Sequence, residues 1–178
     1  MIQIFDELIY GGLKIMGTFI ASLFNGVNLA LLGAFLAAGL AGWGSAKGVG
    51  MVGQAGSGLL TEDPSAFGSV LLLEALPGTQ GIYGLITAFM IMIKINLFGS
   101  LMELTVQQGA YFLLASLPVA LIGLISAQHQ AKVAVSGIHL IAKHKGEVGK
   151  AITSAALVET YAIFALLVSL LLIIKAPV

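Results

Sequence analysis

The sequence has 178 residues, of which 58% are hydrophobic and only 9% are charged, whereas soluble domains have about 45–50% apolar and about 25% charged residues. This composition excludes a soluble globular domain and indicates a membrane protein. Eight lysines, with no arginine, balance eight acidic residues, so the chain has no basic excess for nucleic acid, which we do not expect as a partner. Without cysteine, the chain has no disulfide and no thiolate metal site.

Residues 1–24 precede the first strongly apolar stretch and mix Asp6, Glu7 and Lys14 with apolar side chains. A cleaved secretion signal normally begins with a positive region, but this segment has two acidic residues and no lysine before Lys14. We therefore expect a retained interfacial extension over residues 1–24, on the outer side of the membrane. A fifth span and a removed leader are the alternatives.

Four charge-poor stretches follow, over about residues 27–46, 68–93, 109–131 and 151–174. Each is close to the about 20 apolar residues that a helix needs to cross the hydrocarbon core. Asp63 and Pro64 precede the second stretch, where they are suited to cap a helix and to occupy its first turn. The prediction is an all-α membrane protein with four transmembrane helices in two tandem hairpins, over residues 25–103 and 104–178.

Lysine placement predicts how the helices cross the membrane, because lysine near span ends is enriched on the cytoplasmic side. More lysines flank the first and third connections than lie on the opposite side. The first group is Lys47, Lys132, Lys143, Lys145 and Lys150, and the second is Lys14, Lys94 and Lys175. This imbalance predicts a multi-pass protein of the cell membrane with both termini outside.

The first span carries a stripe of small residues at every fourth position. The stripe consists of Gly26, Ala30, Ala34, Ala38, Gly42, Ala46 and Gly50. Helices in lipid associate through close packing of their backbones, which small residues permit. The stripe therefore indicates either ordinary pairing inside one bundle or an inner wall on which the first spans of many copies converge.

The chain also shows weak internal repetition. The segment GIYG at 81–84 resembles AIFA at 162–165, and this offset of 81 matches Gly78 with Glu159. The segment SAK at 45–47 resembles AK at 131–132, where Lys47 and Lys132 give an offset of 85. The two offsets predict two related hairpins, with four extra residues in the first loop and a carboxylate at this depth only in the second hairpin.

Polar residues inside the spans are the candidates for function, because each is costly in hydrocarbon and is retained only with a partner or a task. Four positions in the second span have the spacing i, i+3, i+4 and i+7, which places a carbonyl, a hydroxyl, an amide and a phenol on one helical face. They are Leu76, Thr79, Gln80 and Tyr83. Pro77 lacks an N–H, which most directly deprives the Leu73 carbonyl of its donor.

The fourth span contains one carboxylate, Glu159, and the third span ends in Gln128, His129 and Gln130. Oxygen donors without sulfur and without a compact histidine cluster suit a hard cation. One carboxylate balances one positive charge, so the pattern favours a monovalent ion. An occupied site is close to neutral in lipid, whereas an empty site leaves a costly charge, and this difference suits an ion carrier.

Four segments, in order, resemble the proteolipid, or K subunit, of rotary V-type sodium ATPases. They are GSAKGVGM at 44–51, LPGTQG at 76–81, SLP at 116–118 and VETYA at 158–162. The resemblance runs from about Asn25 to the C-terminus, and residues 1–24 are longer than the leader expected for the family. It implies a ring of identical double hairpins in lipid, which partner subunits turn by ATP hydrolysis past a stator subunit with half-channels. A central-stalk subunit would contact the ring on the cytoplasmic side, and the chain itself would have no catalytic ATP site.

The resemblance also implies a role for each polar residue. Glu159 would be the essential carboxylate of a Na⁺ site, Thr79 and Gln80 would supply side-chain oxygens, and Gln130 would supply another. The Leu76 carbonyl would complete the shell, where the proline argument alone points to Leu73. Tyr83 would hydrogen-bond to Glu159 and lock the occupied site.

Each role has a simpler structural alternative. Thr79 is able to bond back to its own helix, Gln80 to join two helices, and Tyr83 to serve only in packing. Gln128 competes with Gln130 as the ligand, and the motif favours Gln130. Glu74 lies one turn before Gly78, either as a satisfied polar group near the cytoplasmic boundary or as part of an ion site in the first hairpin.

The nature of the ion and of the assembly leaves further alternatives. A proton site needs only a carboxylate in a suitable environment, so the extra oxygens favour Na⁺ over H⁺. A small independent cation-coupled antiporter would use Glu159 without ATPase partners and would form a small oligomer. An intramembrane enzyme is disfavoured, because no nucleophile–base pair or metal cluster accompanies Glu159.

Overall fold

The computed structural model describes residues 2–178, with side chains from Tyr10 onward, and the regular elements in this range are all helical. Six α-helices follow one another as α1 (Ile2–Leu23), α2 (Gly26–Glu62), α3 (Phe67–Ala75), α4 (Thr79–Lys94), α5 (Val106–Lys143) and α6 (Val148–Ile174). Short 3₁₀ turns at Pro64–Ala66, Leu76–Gly78 and Lys145–Glu147 join some of them.

Four helical segments in the described range are long and apolar enough to cross a membrane, over Gly26–Glu62, Pro64–Lys94, Val106–Lys143 and Lys145–Ile174. α2 packs along α5, while α4 lies against α2 and α6 against α5. The prediction of an all-α protein with four spans in two tandem hairpins is confirmed.

The long helices α2 and α5 continue beyond the predicted ends of the first and third spans. The sequence places these ends near residues 46 and 131, but α2 reaches Glu62 and α5 reaches Lys143. Much of both expected connections is therefore helical. Hydropathy marks only the part of a helix that is suited to lipid contact. The helix itself continues past the end of that part when it packs against another helix.

Glycine allows α2 and α5 to approach each other closely. A Cβ atom placed on Gly44 would lie 2.7 Å from the backbone of Leu124, and one on Gly33 would lie 2.9 Å from the Cα of Leu113. Both distances are too short for a side chain. The contact between the two hairpins thus depends on backbone-to-backbone packing of the kind that small residues permit in membranes.

The small-residue stripe of α2 divides into two parts. Gly26, Ala30 and Ala34 are buried within the chain, whereas Ala46 and Gly50 are exposed. Residues four positions apart advance about 40° around a helix with 3.6 residues per turn, so the stripe winds away from α5. One chain therefore covers only the first half of the stripe.

The two loops that follow α2 and α5 are matched in backbone conformation. Asp63 has φ −138° and ψ 84°, His144 has φ −137° and ψ 83°, and a 3₁₀ turn follows each. Asp63 and His144 are again related by the offset of 81, so the prediction of four extra residues in the first loop is wrong. The shared Ala-Lys dipeptide misled the alignment, and the structural counterparts of Ser45 and Ala46 are Ser126 and Ala127.

The paired loops are joined by an ion pair. Lys145 Nζ lies 2.7 Å from Asp63 Oδ2, and the hydrogen bonds from Lys145 and Ser65 hold the pKa of Asp63 below its usual value. Asp63 also accepts from the backbone N–H of Ser65 at 3.2 Å, with Pro64 opening the turn. The predicted capping role of Asp63 and Pro64 is confirmed, although the element they start is a 3₁₀ turn before α3.

α1 ends in a hydrogen-bonded corner with α2. The Nδ2 atoms of Asn25 and Asn28 donate to the Ser22 carbonyl at 2.9 and 3.0 Å, and Asn28 also donates to the Leu23 carbonyl at 3.2 Å. Side chains from Tyr10 to Phe24 are exposed. The corner satisfies carbonyl groups at the end of α1 that have no partner within that helix.

Candidate ion-binding site

A break in the second span creates the first part of the site. The 3₁₀ turn Leu76–Gly78 separates α3 from α4 at Pro77, which is buried against Gly48. Proline has no N–H and disrupts the regular α-helical ladder. In this turn the Leu76 carbonyl accepts the backbone N–H of Thr79, and it also accepts the Thr79 hydroxyl at 3.0 Å. A backbone oxygen thus lies beside the side chains that begin α4.

Three helices bring the polar side chains together. Gln80 Nε2 from α4 donates to Gln130 Oε1 from α5 at 2.5 Å, and both residues are fully buried. Gln130 Nε2 lies 3.4 Å from Glu159 Oε2 on α6, and Thr79 Oγ1 lies 3.4 Å from Gln80 Oε1. Tyr83 donates its phenol hydrogen to Glu159. We call this group, together with the Leu76 carbonyl, the polar cluster.

The carboxylate of the polar cluster has only neutral partners. The ion pairs in the described part of the chain are Lys145 with Asp63 and Lys150 with Glu147, and both lie outside the polar cluster. An ionised carboxylate inside a membrane is expensive without a compensating charge. The cluster combines one negative charge with carbonyl, hydroxyl and amide oxygens, so its chemistry fits a hard monovalent cation.

The structure also separates the competing candidates. Gln128 donates to the Leu124 carbonyl of its own helix at 3.1 Å, and His129 is exposed, so neither joins the polar cluster. Glu74 is half-buried and lies against Gly53 of α2. Glu74 makes no hydrogen bond or ion pair with the residues whose side chains are described.

One supporting residue was missed by the sequence analysis. Ser45 Oγ on α2 accepts the N–H of Gly81 at 2.8 Å. Gly81 is the third residue of α4, and the first four N–H groups of a helix lack partners within it. The sequence contained a signal for this contact. Pro77 predicts a helix break, so the N–H of Gly81, one turn later, needs a partner outside its own helix.

Comparison with known proteins agrees with the repeat. The model of the family of the ATP synthase C subunit matches residues 32–91 and again residues 113–172, so the start and end points both differ by the same offset of 81. Together the two matches cover more than half of the chain. The chain therefore belongs to the family of the ATP synthase C subunit, with one family unit in each hairpin.

Two relatives are similar over most of the chain. The V-type sodium ATPase subunit K of Enterococcus hirae is 47% identical over 152 residues, which are 85% of this chain and 94% of that protein. The A-type ATP synthase subunit K of Methanocaldococcus jannaschii is 39% identical over 146 residues, or 82% of this chain and 62% of that protein. The predictions of a V-type ATPase proteolipid and of a rotor-ring subunit are confirmed.

Proposed function

We propose that this rotor-ring subunit binds Na⁺ at the polar cluster and carries it across the membrane, driven by ATP hydrolysis in partner subunits. The observation that carries the proposal is the arrangement around Glu159. Its carboxylate lies within a membrane-spanning helix, among neutral hydroxyl and amide groups and without a cationic partner in the described residues. The similar sodium ATPase subunit supports the choice of ion.

In this proposal each member of the polar cluster has a defined role. Glu159 neutralises the ion, while Thr79, Gln80 and Gln130 supply side-chain oxygens and Leu76 supplies its carbonyl. Ion binding exchanges the hydrogen bond between Gln80 and Gln130 for contacts from both amide oxygens to Na⁺, because an oxygen that coordinates a cation is a poorer acceptor. The hydrogen bond from the Tyr83 phenol holds the carboxylate in position.

The number of neutral oxygens favours Na⁺ over H⁺. A proton needs one carboxylate and one acceptor, and it gains nothing from the convergence of a hydroxyl, two amides and a carbonyl. A sodium ion is stabilised by several oxygen donors at once. The alternative is a proton-carrying ring, in which Gln80 and Gln130 serve only to join α4 to α5.

Carbodiimide labelling distinguishes the two ions, because the reagent attacks a protonated carboxyl group and bound Na⁺ displaces that proton. We expect labelling at Glu159 that Na⁺ suppresses and an equal concentration of K⁺ does not. Glu159→Gln should abolish this labelling and transport, whereas Glu147→Gln, in the exposed loop, should leave both unchanged. Labelling that ignores Na⁺ at every concentration would favour the proton ring, and labelling chiefly at Glu74 would move the site to the first hairpin.

The proposed assembly has identical copies in a ring, lipid around it and a stator subunit with half-channels beside it. Both termini lie outside, and the loops at Asp63 and Lys145 face a central-stalk subunit in the cytoplasm. Because the chain has no native cysteine, single-cysteine variants test this orientation. Cysteine at Lys145 should react with an impermeant reagent only from the cytoplasmic side, and reaction from outside intact cells would reverse the topology.

Residues 1–24 are proposed to lie at the outer membrane surface. On the helix α1, Lys14 and Met16 are about 160° apart, so one faces water when the other faces lipid. The satisfied carbonyl groups at the corner with α2 suit a region poor in water. Cysteine at Lys14 should react faster with a water-soluble reagent than cysteine at Met16, and equal rates would contradict an interfacial position.

A further inference from the structure

The contact between the two hairpins of one chain indicates how neighbouring copies meet in the ring. Within the chain, Gly48 of α2 lies against Ala131 of α5, and Gly44 lies against Leu124. The offset of 81 relates the two family units over their whole length. A ring of these units alternates between boundaries inside a chain and boundaries between copies. The contact between copies therefore repeats the contact inside a chain, with each residue replaced by its counterpart.

Glu74 lies at the boundary between copies. Its counterpart Ala155 is 0% exposed inside the chain, as is Ala134, the counterpart of Gly53. Both alanines belong to one buried cluster, to which the two hairpins contribute. A Cβ atom on Gly53 would lie 2.7 Å from Glu74 Oε1, so the carboxylate lies on the surface of α2 at this glycine. The neighbouring copy thus covers a carboxylate that has no ion pair among the described residues of its own chain.

Lys132 of the neighbouring copy lies on the opposite side of this boundary. Its counterpart in the first hairpin is Met51, which packs against the same buried cluster. Lys132 of one copy therefore faces the positions that Gly53 and Glu74 occupy in the next. Its side chain is exposed in the single chain and has no ion pair among the described residues. The long flexible stem of lysine allows its ammonium group to reach a nearby carboxylate.

His129 and Glu147 also lie near this boundary. Glu147 is already in an ion pair within its own chain. His129 takes the place of Gly48, which lies against Ala131, so His129 faces Gly50, the counterpart of that alanine. This position is one turn of α2 away from the glycine beside the carboxylate. The mapping therefore favours the lysine as the basic partner, and the histidine is the competitor that the experiment must separate from it.

We propose that Glu74 of one copy forms an ion pair with Lys132 of the neighbouring copy. A charged side chain in a membrane-spanning segment is costly without a partner, and this pairing satisfies two charges that are unpaired in the single chain. Inside a chain the same two positions are occupied by Met51 and Ala155. The boundary inside a chain is thus apolar and the boundary between copies is ionic. This difference favours the head-to-tail contact of a second hairpin with the first hairpin of the next copy.

Charge reversal on two separate chains tests the pair. A chain with Glu74→Lys and a chain with Lys132→Glu each place like charges at every boundary between copies, so each alone should give few rings. When the two chains are expressed together, every contact between different chains restores opposite charges. Mixed rings should therefore form, and native mass spectrometry should find the two chains in about equal numbers. One chain carrying both reversals should also assemble.

Mixing the chains separates a pair between copies from a pair inside a chain. If the pair formed inside a chain, mixing would restore nothing, because each chain would keep its own two like charges. Rings from the doubly reversed chain without rings from the mixture would therefore overturn the proposal. The inference uses the ring of the family and is independent of the ion that the polar cluster carries.

Two further variants test whether Lys132 is the specific partner. Lys47 is an exposed lysine of α2 that lies about 120° around the helix from Gly53. Lys47→Glu chains should not form mixed rings with Glu74→Lys chains. His129→Glu chains should not do so either, and mixed rings from that combination would assign the histidine as the partner and overturn the role of Lys132.

Neutral variants provide a second measurement if the reversed chains fail to form rings in any combination. Glu74→Gln and Lys132→Gln should each lower the temperature at which the ring dissociates, because each leaves the other charge unpaired. The double variant should lower this temperature by less than the sum of the two single effects. Additive losses, or no loss from either single variant, would overturn the ion pair.

Discussion

The two hairpins have matched backbones but divide the chemistry of the polar cluster between them. The first hairpin is broken at Leu76–Gly78 and contributes a carbonyl, a hydroxyl, an amide and a phenol. The second hairpin has an unbroken α6 and contributes the carboxylate and the other amide. The broken second span therefore provides most of the neutral groups of the polar cluster, whereas the unbroken α6 provides its charge.

The two hairpins also differ at a serine on their long helices, next to the polar cluster. Ser45 Oγ accepts the N–H of Gly81, which the helix break leaves without a helical partner. Its counterpart Ser126 is buried, and its Oγ has no hydrogen-bond partner among the described residues. α6 is unbroken at Ala162, the counterpart of Gly81, so its N–H remains within the helix. The serine hydroxyl therefore finds a free backbone N–H to bond with only where the helix beside it is broken.

The largest expected effect is on ring assembly. Substitutions at two glycines of α2 distinguish contacts between copies from contacts within a chain. Gly42→Leu, like Ala38→Leu, should prevent ring formation while leaving a helical chain, since the Gly42 Cβ position meets no described atom within 4 Å of its own chain. Gly44→Leu should disrupt the chain itself. Native mass spectrometry and circular dichroism measure the two outcomes, with Gly58→Leu as the control. Intact Gly42→Leu rings of normal size would contradict this placement of α2.

The two prolines provide a direct test of the helix break. Pro77→Ala should restore a regular helix, which is favoured by up to about 3 kcal/mol over one containing proline, and should weaken Na⁺ binding about 10- to 100-fold. Pro118 lies inside α5, which continues through it. Pro118→Ala should therefore change Na⁺ affinity less than about 3-fold. Equal effects of the two substitutions in a ²²Na⁺ binding assay would refute the role of the break.

Two threonines make the same local hydrogen bond, but only one of them belongs to the polar cluster. Substituting each distinguishes a role in ion binding from a general effect on the helix. Thr79 donates to the Leu76 carbonyl at 3.0 Å, and its counterpart Thr160 donates to the Leu157 carbonyl at 2.8 Å. Only Thr79 also contacts Gln80. Thr79→Val should weaken Na⁺ protection against carbodiimide about 10-fold, as should Gln130→Leu, whereas Thr160→Val should have little effect. Similar losses from both threonine variants would indicate a general helix effect.

The smallest expected effect concerns the two serines. Ser45→Ala leaves the N–H of the half-buried Gly81 without its acceptor, which should lower stability by about 1–3 kcal/mol. Ser126→Ala removes a hydroxyl that has no partner among the described residues and should change stability by less than about 0.5 kcal/mol. Thermal dissociation of the ring, followed by gel electrophoresis, compares the two. A larger loss for Ser126→Ala would reveal a partner for its hydroxyl.

The sequence was sufficient to predict the spans and to place Leu76, Thr79, Gln80 and Tyr83 on one helical face, because hydropathy and the i, i+3, i+4 and i+7 spacing are local properties. The choice of Gln130 over Gln128, and the bond from Tyr83 to Glu159, came from the resemblance to the family. The sequence was not sufficient for the ends of α2 and α5, which depend on packing between distant segments. The alignment of Lys47 with Lys132 failed for a similar reason. Both residues are lysines, but they occupy different positions in their hairpins. The Ser45 contact required the path of a second helix, which no local pattern encodes.

The length of α2 and α5 has a mechanical consequence. At 37 and 38 residues, each helix is about 55 Å long, whereas the hydrocarbon core is about 30 Å thick. Both run without interruption from the membrane into the loops, where the Asp63–Lys145 ion pair links them. A force applied to those loops acts on two parallel rods held by backbone contact, so the subunit turns as a stiff body with little twist between the loops and Gln130.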